Sequence, residues 1–170
     1  MIRVLRPLML LPLPPRICIM RGKGFWKEVE KYMDAIKTTP TPNDIGERAQ
    51  GVILAEVMKH GYTVLIPFGE GRRYDMVIEK DAQFFRLQCK AGRYKSGVIR
   101  FNACSSNWFN KTRKCYTCEE IDYFAVYCEH TEKVYLIPVG DIEGADGTLR
   151  VEPTANNQTK GIRWAKDYEI

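Results

Sequence analysis

Arg73-Tyr74-Asp75-Met76-Val77-Ile78-Glu79, the turn Lys80-Asp81-Ala82, and Gln83-Phe84-Phe85-Arg86-Leu87-Gln88-Cys89-Lys90 form the stretch that decides the fold. Both flanks are short and rich in β-branched, aromatic and other apolar residues, and polar turn residues separate them. They read as two antiparallel strands, Tyr74 to Glu79 and Gln83 to Lys90. Side chains alternate along a strand, so Gln88 and Lys90 leave the same side, about 6.6 Å apart. Phe85, Leu87 and Cys89 leave the other side, towards a core. Pairing about the turn brings Asp75 close to Gln88. Asp75, Gln88 and Lys90 therefore converge.

That trio has a chemical reading. Asp75 offers an anionic oxygen, Gln88 a neutral carbonyl oxygen, and the backbone carbonyl of Cys89 a third oxygen. Magnesium takes such hard donors and keeps several waters, and manganese is expected to substitute. Lys90 is a point charge suited to an attacking water or a phosphate oxygen. No Gly-rich phosphate loop and no Ser-His-Asp pattern is visible, so no nucleotide cofactor is expected. His60 and His130 have no partner at metal or triad spacing and read as surface residues.

Working outward, Ile45 to His60 reads as a helix capped by Asn43 or Asp44 and closed by Gly61. Ile45, Ala49, Val52, Ile53, Val57 and Met58 would form its buried face, and Glu47 lies on its first turn. Upstream, Phe25 to Lys37 has the spacing of a short amphipathic helix, followed by a proline-containing linker, Thr38 to Pro42. A strand from Tyr62 to Pro67 precedes the central pair. Val98 to Ala103, Asp122 to Cys128, Lys133 to Val139 and a short segment at Thr148 to Glu152 follow it. Helix, strand meander and later strands predict an α/β domain with a central mixed sheet flanked by helices.

The chain has 170 residues, 26 Lys and Arg against 21 Asp and Glu, and a net charge of +5. One domain with a single core fits that length. The charge is unevenly spread. Ala82 to Cys118 contains no acid but carries Arg86, Lys90, Arg93, Lys95, Arg100, Lys111, Arg113 and Lys114. Such a segment attracts polyanions, and the interleaved Tyr94, Phe101, Asn102, Asn107, Trp108 and Asn110 favour a nucleic-acid surface.

The six cysteines carry less information. Cys115 and Cys118 form one CxxC, and zinc would need two further ligands, for which Cys104 and Cys128 are available at an unfamiliar spacing. Cys89 and Cys128 read as small core residues. With no signal peptide, the thiols are expected to be reduced. Met1 to Met20 is apolar and basic but broken by Pro7, Pro12, Pro14 and Pro15. It is too short and interrupted to span a membrane, and no membrane partner is expected. It reads as a disordered extension, a transit peptide or sequence upstream of a start at Met20.

The order of Glu47 on a helix, Asp75 on one strand and Gln88-Cys89-Lys90 on the next resembles the PD-(D/E)XK nuclease superfamily. It is most similar to the intron-encoded homing endonucleases of that superfamily, in which Gln stands at the usual Asp/Glu position. Gly46 to Gly51, Tyr74 to Lys90, Asp122 to Tyr127 and Val134 to Val139 carry the likeness, over the middle two-thirds of the chain. It implies a restriction-endonuclease-like core and an active-site set of Glu47, Asp75, Gln88 and Lys90, with Glu47 as an additional metal ligand. It also implies metal-dependent, site-specific hydrolysis of double-stranded DNA. Two features depart from the pattern: Gln88 replaces an acid, and Tyr74 stands where a proline is usual. Losing one negative charge should weaken metal binding.

On this view residues 1–23 are an extension, 24–42 an N-terminal helix and linker, 43–153 the nuclease domain, and 154–170 a basic, aromatic tail. Arg93, Tyr94 and Lys95 are expected at the phosphates around the cut. Arg100 and Asn102 are placed to read bases, and Lys111, Arg113 and Lys114 to form a second basic contact. Cutting both strands of a near-palindromic site suits a homodimer or homotetramer. The expected location is cytoplasmic and nucleoid-associated, or organellar if residues 1–20 are a transit peptide. A junction resolvase of the same fold and a DNA-binding protein with a decayed site are the competing readings.

Overall fold

A computed structural model describes Lys27 and residues 39–69, 71–107, 112–154 and 161–170, with only the backbone at Ser106 and Asn107. The chain divides into a unit of residues 1–39 and a unit of residues 40–170, and the account below concerns the second. The N-terminal extension, the expected helix from Phe25 to Lys37 (Lys27 apart), and Lys111 lie outside the described residues.

The order of elements is α1 (Pro42–Lys59), β1 (Thr63–Leu65), β2 (Met76–Lys80), β3 (Gln83–Lys95), β4 (Val98–Asn102), β5 (Cys104–Asn107), β6 (Thr112–Cys115), β7 (Tyr123–Cys128), β8 (Lys133–Pro138) and β9 (Asp146–Arg150). Seven strands form one mixed sheet around β3. β1, β2 and β3 are antiparallel. β3 is parallel to β7, which is antiparallel to β8. The far end of β3 pairs antiparallel with β4, and β4 with β9. β5 and β6 make a separate two-stranded ribbon.

The expected hairpin forms, but its first strand is Met76–Lys80 and its turn has two residues, Asp81 and Ala82, where the sequence suggests Lys80 to Ala82. Lys80 pairs with Gln83 and Met76 with Leu87. The two turn residues, Asp81 and Ala82, have φ of 53° and 62°, the left-handed pair that a two-residue hairpin needs to match strand twist. Ala82 is not a favoured residue there, but its N–H donates to Oε1 of Glu79 at 3.1 Å.

β3 continues five residues beyond Lys90, and this extension creates the site. On one side β3 pairs with β2 only through Leu87, and with β4 only from Arg93. Between them that edge has no strand partner, while the other edge stays paired to β7 from Leu87 to Gly92. A gap thus opens in the ladder beside Gln88, Cys89 and Lys90.

Helix α1 starts three residues earlier than its periodicity suggests. Thr41, not Asn43 or Asp44, is the cap: its hydroxyl accepts the Asp44 N–H while Asp44 accepts the Thr41 N–H, a reciprocal capping box with Pro42 at the first helical position. Ala49, Ile53 and Val57 are its buried residues. Ile53 and Val57 pack with Met76, Ile78, Leu87, Ala125 and Val134 on one face of the sheet. Ile45 and Met58, expected on that buried face, are exposed instead. Among the described residues of this unit α1 is the only α-helix, and no helix among the described residues is long and apolar enough to cross a membrane.

The second core lies on the other face of the sheet and includes Ile99, Phe101, Phe124, Val126, Tyr135, Ile137 and Leu149. The outer edge of β8 is covered by the chain's last residues. Leu136 N–H donates to Tyr168 O at 2.8 Å and Ile170 N–H to Val134 O at 3.2 Å. Ala165 is buried in the second core, so residues 161–170 pack as part of this unit and blunt an edge that would otherwise be open to pairing.

Candidate active site

Asp75 lies one residue before β2, and its N–H donates to Leu87 O at 2.9 Å. Its carboxylate reaches into the gap beside β3. Oδ2 accepts the Cys89 N–H at 2.7 Å and Nε2 of Gln88 at 2.5 Å. Among the described residues Gln88 is the one polar residue that is buried. Burying a carboxamide is costly unless it is bonded, so the Asp75 contact is what makes this placement tolerable. In extended chain a residue's N–H and C=O point the same way. The Cys89 carbonyl therefore faces the gap that holds Asp75.

Three oxygens remain for a ligand. Oδ1 of Asp75 and Oε1 of Gln88 have no hydrogen-bond partner among the described residues, and the Cys89 carbonyl joins them. All are hard donors, and one is anionic. That set fits a magnesium-sized cation completed by waters and substrate oxygens. Among the described residues no group of three or more His, Cys, Asp and Glu side chains is placed to hold a metal. Gln88 and the main chain are thus needed to complete the set.

Lys90 is the fourth member. Its Nζ lies 4.9 Å from the centre of the Tyr116 ring. Burial holds its pKa below the usual lysine value, against the attraction of Asp75. Burial also raises the Asp75 carboxyl above the usual aspartate value, against the Cys89 N–H, the Lys90 charge and Gln88. Opposed shifts on adjacent acid and base groups mark functional sites more often than plain surface. The Cys89 thiol is pushed far up by burial, which makes it an inert core group.

Glu47 is not bonded to these residues. It is exposed on α1, where Oε1 accepts Nδ2 of Asn43 at 2.9 Å.

The expected DNA-contacting residues separate by strand alternation. A Cβ on Gly92 would meet Ile99 Cγ2 at 2.7 Å and Val126 Cγ1 at 3.0 Å, so Gln88, Lys90, Gly92 and Tyr94 share the face of the second core. Arg93 and Lys95 leave by the opposite face. Arg93 is directly opposite Arg100, and Arg100 opposite Thr148. Both arginines are exposed. Tyr94 donates its hydroxyl to Glu152 and stacks on His130 with ring centres 3.9 Å apart. Oδ1 of Asn102 accepts the Cys104 N–H at 2.9 Å and Nη2 of Arg113 at 3.4 Å. Lys114 pairs with Glu120.

Arg86 counts towards the basic segment in sequence, but it is held by Asp122. The carboxylate accepts from Arg86 Nε at 3.0 Å, Nη2 at 2.9 Å and the backbone N–H at 2.7 Å. Cys104 faces Cys115 across β5 and β6, and the two form a disulfide. The expectation of free thiols therefore fails for this pair. Two of the four sulfurs that zinc would need are used, and a third, on Cys128, is buried.

Arg73 and Tyr116 were not foreseen as part of the site. Arg73 had a readable signal, since two residues before Asp75 is the same side of an extended chain. Tyr116 had none.

Comparison with known proteins bears on the fold and the family. No curated protein matches the chain. The solved structure of a bacterial homing endonuclease, I-Ssp6803I, superposes with a TM-score of 0.62 at 24% identity, over 76% of this chain and 89% of that one. At that identity the likeness shows the fold. A structure of MepB matches at a TM-score of 0.34 and 14% identity, over 64% of this chain and 83% of that one, and carries no argument. The family model described as PD-(D/E)XK endonuclease matches residues 41–170, the whole of the unit described above. A match of that extent, over a fold built around the gap at Asp75, Gln88 and Lys90, means that the chain belongs to the PD-(D/E)XK endonuclease family.

Proposed function

We propose that this protein is a magnesium-dependent, site-specific endonuclease that hydrolyses phosphodiester bonds in double-stranded DNA, as a homing endonuclease does. The observation that carries the reading is the meeting of Asp75, Gln88 and the Cys89 main chain in an unpaired gap of the sheet, with Lys90 on the same strand. Asp75, Gln88 and the Cys89 carbonyl would hold the ion, with Glu47 contributing through water or on DNA binding. Bound there, magnesium eases deprotonation of water and offsets the charge that grows on the scissile phosphate.

The chain's own groups have separate tasks. The Cys89 N–H and Gln88 Nε2 fix the Asp75 carboxylate through Oδ2, which would leave Oδ1 available to the ion. Lys90 holds the attacking water or a phosphate oxygen through its ammonium. The Arg93, Lys95 and Arg100 face, with Arg113 and Lys114 on the ribbon, supplies phosphate contacts that give affinity and register. One chain carries one such site, so cutting both strands is assigned to a homodimer or homotetramer. The solved structure whose fold the chain shares is a bacterial homing endonuclease, which is consistent with this branch.

The test offers the protein three substrates with magnesium: a plasmid carrying the uninterrupted sequence that flanks the gene's insertion point, an unrelated plasmid, and a four-way junction. A unique linear product from the first is the expected result. Preferential cutting of the junction would replace the reading with structure-selective resolution. Tight binding of the flanking sequence without cutting would replace it with a decayed binding protein.

A further inference from the structure

Tyr116 stands where two cations meet. Its ring centre lies 4.0 Å from Cζ of Arg73 and 4.9 Å from Nζ of Lys90. The ring is held in place by its surroundings. It meets Phe124 edge-on, with centres 5.7 Å apart and planes at 86°, and the Tyr116 N–H donates to Ala103 O at 3.3 Å.

Arg73 is not free to bind a substrate phosphate. Its guanidinium donates to Oγ of Ser105 at 2.5 Å, to the carbonyls of Lys114 and Cys115 at 3.3 and 3.1 Å, and to Oε2 of Glu120 at 2.9 Å. Glu120 also pairs with Lys114, and the two cations pull its carboxyl down to about 2. Arg73 therefore clamps the β5–β6 ribbon and the Tyr116 to Glu120 turn against the approach to Asp75. The ring of Tyr116 is the part of this network that touches Lys90. A lysine on a flexible four-carbon stem needs such a surface if its ammonium is to sit in one place. Asp75 attracts that ammonium and Arg73 repels it, so charge balance alone does not fix its position.

We infer that Tyr116 is a positioning residue for Lys90. Its ring face, clamped by Arg73, holds the ammonium beside Asp75 and ties it to the ribbon that carries Arg113 and Lys114. This rests on the nuclease reading above.

The test measures single-turnover nicking, in magnesium and by the full chain, of supercoiled plasmid carrying the flanking target sequence, with binding to the same DNA measured separately. Tyr116→Leu is expected to slow nicking about tenfold, on the scale of one desolvated cation–π contact, with DNA affinity unchanged. Tyr116→Phe keeps the ring and restores the rate. In a Lys90→Ala background, Tyr116→Leu is expected to cost less than about twofold more, because its partner is already gone. Arg73→Lys keeps the charge but loses the fork, and serves in the same cycle if Tyr116→Leu does not fold. A Tyr116→Leu rate equal to wild type, or an equal further loss without Lys90, would overturn the inference and leave the nuclease reading standing. Failure of the wild-type chain to nick would overturn both.

Discussion

Asp75 and Cys89 are joined by one hydrogen bond, from the Cys89 N–H to Oδ2 of Asp75 at 2.7 Å, and that bond orients the site. It holds the Asp75 carboxylate in the gap on the side to which the Cys89 carbonyl also points, and leaves Oδ1 with no hydrogen-bond partner among the described residues. The Asp75 carboxylate is thus tied to the main chain of the neighbouring strand, although Asp75 itself precedes β2.

The buried Asp75 carboxyl should make the metal-free protein sensitive to pH. Its pKa is raised by burial, so the folded chain keeps this proton at a pH where the unfolded chain has lost it. Stability from this group is full below the ordinary aspartate value. It is lost as pH rises from about 3.9 through the raised folded value. Asp75→Asn keeps an oxygen to accept both hydrogen bonds and removes the titration. Thermal unfolding in EDTA should show the variant gaining on wild type as pH rises from about 4 to about 7. A constant difference over that range would contradict the assignment.

Gln88→Glu would supply the acid that the family pattern usually has at this position. Without metal it places a second carboxylate against Asp75 in a buried site, which should cost about 1–3 kcal/mol. Magnesium should recover that loss and bind more tightly than in wild type. Thermal shift against magnesium concentration checks both parts: a lower starting Tm and a larger metal-induced rise.

Arg93 and Arg100 face each other across β3 and β4, with no ion-pair or hydrogen-bond partner among the described residues. Like charges in directly opposite positions oppose folding by a few tenths of a kcal/mol to about 1 kcal/mol. Arg100→Ala should therefore raise Tm slightly while weakening DNA binding. If Arg100 contacts a phosphate, the slope of log Kd against log salt should fall by about one.

Gly147 lies against the ring of Phe101, and a Cβ there would fall 2.1 Å from Cζ. The ring is 4% exposed and sits in the second core, so it cannot swing clear. Gly147→Ala should destabilise the fold by about 1–3 kcal/mol. Denaturant unfolding checks this, with the midpoint falling and the slope unchanged.

The meeting of Asp75 and Gln88, with Lys90 on the same side of the strand, was legible in sequence because a tight turn limits the register and strand alternation fixes which side chains share a side. The helix was legible by its periodicity, but its start was not, because Thr41 takes the cap that Asn43 and Asp44 also suit. The continuation of β3 to Lys95 was not legible, since Ala91 and Gly92 interrupt the apolar pattern. The parallel pairing with β7 spans residues far apart in sequence and leaves no local mark. The same extension puts Arg93 and Lys95 on the face opposite Lys90 and Tyr94 on the face of Lys90, whereas the sequence groups all three at the phosphates around the cut. Arg86 shows the limit of counting charges, because the Asp122 carboxylate and the carbonyls of Cys118 and Glu119 occupy its guanidinium.

Nicking of a plasmid that carries the flanking target sequence by wild type, Asp75→Ala and Lys90→Ala, each with magnesium and with EDTA, tests the central claim most directly. The account predicts that wild type cuts only with magnesium and that each variant loses at least about a hundredfold in rate while still binding DNA. Metal-dependent cutting that survives Asp75→Ala would show that the catalytic site lies elsewhere in the chain.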